Sequence, residues 1–64
     1  MAAEFYRTIF FDQKKNQTVR VFVFTRDINE AVKMMTQETP YINILCWKKI
    51  DEDELPDLAV VIQK

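Results

Sequence analysis

Residues 17–25, QTVRVFVFT, constrain the fold more than any other stretch. As a strand, the segment places Val19, Val21 and Val23 on one face and Arg20, Phe22 and Phe24 on the other, because successive side chains alternate. Both faces are apolar. The whole chain has 64 residues, close to the size at which one hydrophobic core is only marginally stabilising. Small folds are commonly reinforced by disulfides, metals or self-association. With one cysteine and no histidine, an intrachain disulfide and a Cys/His zinc site are both excluded. Something other than a single helix must cover the second face of this strand, and self-association is the expected answer.

The upstream segment EFYRTIFFD (4–12) has the aromatic and β-branched content of a partner strand. Between the two lie Gln13, Lys14, Lys15 and Asn16, read as a four-residue hairpin loop with Asn16 suited to a left-handed position in a chain without glycine. That loop pairs Asp12 with Gln17, Phe10 with Val19, Thr8 with Val21 and Tyr6 with Val23. Phe5, Arg7, Ile9 and Phe11 then share a face with Arg20, Phe22 and Phe24. A three-residue loop would slip the pairing and exchange the faces of the first strand.

RDINEAVKMMTQET (26–39) predicts the one helix. Asp27 is a suitable N-cap with Glu30 three residues on, and Ile28, Ala31, Val32 and Met35 recur at helical spacing. Pro40 ends it. YINILCWKKI (41–50) predicts a third strand with Ile42, Ile44, Cys46 and Ile50 on one side and Tyr41, Asn43, Leu45, Trp47 and Lys49 on the other. LAVVIQK (58–64) predicts a fourth, reached through an acidic turn at 51–54. The expected fold is α+β, a single domain over 1–64. It has the order β-β-α-β-β, with one helix on one face of a mainly antiparallel sheet.

Chemistry is constrained by what is missing. Without histidine, serine or glycine there is no Ser-His-Asp triad, glycine-rich phosphate loop or nucleophile elbow. Cys46 is expected to be a buried core thiol rather than a nucleophile. Asp51, Glu52, Asp53 and Glu54 lack the spacing and glycine of a calcium loop and read as a solvated turn. No metal, cofactor or catalytic residue is expected. No apolar run is long enough to span a bilayer and the N-terminus lacks the features of a signal peptide, so a reducing, cytoplasmic setting is expected. The length would suit an accessory gene of a phage or plasmid.

The leading expectation is a non-enzymatic module that binds another protein, as a small regulator or inhibitor acting by surface occupation, and is homodimeric through its aromatic sheet face. Its contact residues are Phe5, Arg7, Ile9, Phe11, Arg20, Phe22 and Phe24, with Trp47, Lys48 and Lys49 as a second patch. The alternative is a single-stranded nucleic-acid binder in which Arg7, Lys14, Lys15 and Arg20 meet phosphates and bases stack on Phe22 and Phe24. A formal charge of −1 favours the protein partner, because phosphate-binding domains are normally basic.

Overall fold

The structure, a computed structural model, describes residues 2–64. Strand β1 (Glu4–Asp12) and strand β2 (Gln17–Thr25) form the hairpin with the four-residue loop, and Asp12 lies opposite Gln17 as the loop length requires. Asn16 takes the positive φ of 54°, which its short polar side chain tolerates. Asp12 holds the loop shut: its Oδ1 accepts the backbone N–H groups of Lys14 and Lys15 at 2.9 and 3.0 Å.

Helix α1 (Ile28–Glu38) starts at Asp27, whose carboxylate accepts the N–H of Glu30 at 3.2 Å. Ile28, Ala31 and Met35 are its buried residues, with Val32 half-buried, so the apolar stripe faces the sheet as expected. It packs on the valine face of the hairpin. There Val23, Ala31 and Met35 form the core cluster, flanked by Val21 and Ile42.

Strand β3 (Ile42–Ile50) pairs antiparallel with β1 on the side away from β2. A short 3-10 turn (Glu52–Glu54) follows, and the three-residue strand β4 (Val61–Gln63) lies against the far edge of β2. The strand order is therefore β3-β1-β2-β4. The order of elements is as expected, but β4 is shorter than the 58–64 span and runs parallel to β2, so the sheet is mixed.

Strand β3 departs from its expected two-sided pattern. Its register against β1 shifts between Ile9 and Phe10, with Ile9 opposite Cys46 and Phe10 opposite Ile44, which leaves Leu45 as an extra, bulged residue. Beyond a bulge the alternation changes sides. Ile42 and Ile44 share the helix face with Trp47 and Lys49, while Cys46, Lys48 and Ile50 share the face of Phe5, Arg7 and Ile9. The expected grouping of Cys46 and Ile50 with Ile42 and Ile44 is thus corrected. Cys46 is also exposed, not a buried core thiol; it sits on the edge strand β3, which has a neighbour on one side only.

Residues 51–60 supply a cover for the aromatic face. They must carry the chain from one edge of the sheet to the other, over three inter-strand gaps of about 4.8 Å each. Strands β2, β3 and β4 are mutually parallel, so both α1 and this segment are parallel crossovers, running in opposite directions across the sheet. Parallel crossovers are right-handed because strand twist favours that return path. Two right-handed crossovers in opposite directions lie on opposite faces, which puts residues 51–60 on the aromatic side. Burial agrees: Phe22, pointing away from α1, is only 8% exposed, and Ile50 is buried on the same face. The Arg7 Nε beside them is shut off from solvent, and Leu55 and Ala59 in the crossover are half-buried.

Thr8 is fully buried between Val21 and Trp47, its cross-strand neighbours, and its Oγ1 has no hydrogen-bond partner. An unpaired buried hydroxyl costs about 1–3 kcal/mol. Replacing it with a methyl group of the same shape removes that cost. Thr8→Val is therefore expected to stabilise the fold by about 1 kcal/mol, a rise in melting temperature of about 4–8 °C for a domain of this size. An unchanged or lower melting temperature would mean the hydroxyl is satisfied in solution.

Candidate interaction surface

The residues expected on the aromatic face do share it: the register places Phe5, Arg7, Ile9 and Phe11 beside Phe24, Phe22, Arg20 and Thr18. They are not equally available. At the end of the face nearest Ile50, the Phe5 and Phe24 rings pack against each other at 4.6 Å between centroids, tilted by 42°, beside the buried Phe22. The guanidinium of Arg20 lies 5.7 Å from the Phe22 ring centroid, close enough for a cation–π contact. This end is occupied by its own chain.

The hairpin end differs. Ile9 and Phe11 are half-buried, and their cross-strand neighbours Thr18, Arg20, Asn43 and Cys46 are exposed, while Lys48 lies in the row of Arg7 and Phe22. The result is an apolar strip of sheet with one exposed cation, Arg20, beside it. Lys14 and Lys15 extend the positive charge at the hairpin tip, although the Lys14 ammonium is 5.2 Å from the Tyr41 ring rather than free in solution. The aromatic face is thus buried at Phe22 and Ile50, with exposed neighbours around Ile9 and Phe11 toward the hairpin.

Trp47, Lys48 and Lys49, expected as one patch, are divided by the strand alternation. Trp47 and Lys49 are on the helix side of β3 and Lys48 is on the aromatic side. Trp47 is 41% exposed. Lys49 Nζ is 3.2 Å from Glu4 Oε1, and this hydrogen bond and charge hold the lysine pKa above its ordinary 10.5. A raised lysine pKa stabilises the fold at pH values below the unfolded pKa, and this stabilisation is lost as pH rises through the folded one. The pair therefore persists at neutral pH, and on the alkaline side it opens as the lysine loses its proton. Both partners are exposed, so its contribution is small.

The acidic turn organises itself. Glu54 Oε2 accepts the Asp51 N–H at 2.8 Å, and the Glu54 N–H donates to the Asp51 carbonyl at 3.0 Å. Beyond it, Leu58 and Val60 stand 95% and 82% exposed. Sequence reasoning missed these two residues. Their segment read as strand, and the signal against that was Pro56 and Asp57 directly before it. At the far end, Lys64 ties β4 to the end of α1 through Glu38, with Nζ–Oε distances of 2.8 and 2.9 Å.

Among the described residues, no helix is long and apolar enough to cross a membrane. No family model matches this chain, and none among the curated proteins or the solved structures is significantly similar to it.

Proposed function

We propose that this chain is a non-enzymatic, cytoplasmic protein-binding module, a small regulator or inhibitor that acts by occupying a surface and associates with itself through the open part of its aromatic face. The observation that carries this reading is the half-buried pair Ile9 and Phe11 with the exposed Arg20 beside them and Lys48 one row away on the same face. An apolar centre with a charged rim is the anatomy of a protein interface. Trp47, exposed on the outer strand, is the anchor available for a different protein, since tryptophan is enriched among residues that dominate binding energy. The non-enzymatic reading rests on residue types, with no histidine, serine or glycine in the chain.

A nucleic-acid platform needs rings free to stack on bases. Phe22 is covered and Arg20 lies over its ring, so the protein reading is preferred. Light scattering over a concentration series, with and without a short oligothymidine, separates the two. A dimer whose mass ignores the oligonucleotide is expected. A monomer that gains mass with it, less so as salt rises, would overturn the proposal.

A further inference from the structure

We infer that the outer edge of β3 takes an extended segment of another protein, which adds to the sheet as a further strand. This rests on the protein-binding reading above and names the class of partner. β3 is nine residues long and has a neighbour, β1, on one side only. The N–H and C=O of alternate residues in an antiparallel strand turn together toward one neighbour or the other. The Lys64 N–H donates to the Phe24 carbonyl at 3.2 Å, so Phe24 is turned toward β4. Its β1 partner Phe5 is therefore turned toward β3, as are Arg7 and Ile9, and their partners Ile50, Lys48 and Cys46 are turned inward to meet them. That leaves Trp47 and Lys49 turned outward. Before the bulge, the Gln13 N–H donates to the Tyr41 carbonyl at 3.0 Å, which turns Tyr41 and Asn43 inward and Ile44 outward. The outer edge thus presents backbone donors and acceptors at Ile44, Trp47 and Lys49, with no strand paired to them.

The side chains along this edge say what fits it. From Thr39 to Trp47 the chain carries no charge, and Tyr41, Leu45 and Trp47 are large hydrophobic residues that stand exposed there. Edge strands are normally blunted by brevity, charge or cover. The opposite edge strand, β4, has only three residues, whereas on β3 charge begins only at Lys48. An added strand sets alternate side chains beside Ile44 and Trp47 on the helix side, where a charged group would lose hydration without gaining a partner. The occupant is therefore an extended segment, uncharged over that stretch, with β-branched or aromatic residues at alternate positions. A second copy of β3 fits poorly. The bulge at Leu45 reverses the alternation, so an antiparallel copy keeps like faces together over its full length only when its own bulge lies against this one. Registers that avoid this overlap by a few residues, and those at the Lys48 end crowd the lysines of the two copies. A flexible segment carries no bulge of its own.

The test selects a displayed library of random short peptides against the folded full chain and maps each synthesised binder by amide hydrogen exchange. In the free protein the N–H groups of Trp47 and Lys49 are expected to exchange fast, and those of Cys46 and Lys48 slowly. Saturating peptide is expected to slow Ile44, Trp47 and Lys49 by at least about ten-fold. Methylating alternate backbone nitrogens of the peptide is expected to abolish binding in one parity and spare it in the other, because only alternate N–H groups reach β3. Trp47→Ala, its fold checked by circular dichroism, is expected to weaken binding by at least about ten-fold, as for a tryptophan that anchors an interface. Peptides that protect other amides, or that bind regardless of which nitrogens are methylated, would overturn the edge and leave the protein-binding reading standing. A library that yields no binder would overturn both. Protection of Trp47 and Lys49 that rises with protein concentration, without peptide, would give the edge to a second copy and overturn this inference alone.

Discussion

Phe22→Ala is expected to remove most of the stability of this domain. Truncating a buried phenylalanine costs about 3–5 kcal/mol, the lost transfer free energy plus the cavity left behind. A chain of 64 residues has only about 3–10 kcal/mol to lose, at about 0.05–0.15 kcal/mol per residue. The magnitude depends on the cover. If the aromatic face were bare in the monomer, Phe22 would be half-solvated and its removal would cost far less. Because residues 51–60 of the same chain pass over it, the loss is also expected to be independent of protein concentration. A partner's cover would make it concentration-dependent. Urea titrations at two widely separated protein concentrations check both points, and a cost that shrinks with dilution would place the cover on a second molecule.

Met35→Ala is the corresponding change on the other face. Met35 is buried against Val23 and Ala31 in the core cluster, and truncating a buried methionine costs about 2–5 kcal/mol. The upper part of that range is expected, since the cluster has few other members and strand β2 cannot move toward α1 without disturbing its pairing with β1. Chemical denaturation with an unchanged m-value would report loss of stability alone. A loss below about 1 kcal/mol would mean the site collapses or that Met35 is not core.

These two residues also show where the sequence was readable. The hairpin register followed from a four-residue loop with Asn16 at its end. The helix followed from Asp27 and the spacing of Ile28, Ala31 and Met35, because caps and periodicity are local signals. The bulge at Leu45 was not readable. INILCWKKI has apolar residues at both parities, so no break in alternation marks the extra residue, and the sides of Cys46, Trp47 and Ile50 were misassigned in consequence. The crossover was legible only as an acidic turn. Residues 51–60 carry no periodicity, and their role comes from strand order and handedness, which are properties of the whole sheet. The membership of the aromatic face was therefore legible, and its division into a covered end and an open end was not.

On the proposed reading, one face of the sheet has two covers, the chain's own crossover at Phe22 and a second copy at Ile9 and Phe11. Isotope-filtered nuclear Overhauser spectroscopy on a mixture of labelled and unlabelled protein separates contacts within a chain from contacts between chains. The expected result is intrachain contacts from the Phe22 ring to residues 55–59, with interchain contacts from Ile9 and Phe11. Interchain contacts at Phe22, or a Phe22 ring that meets only its neighbours in the sheet, would contradict it.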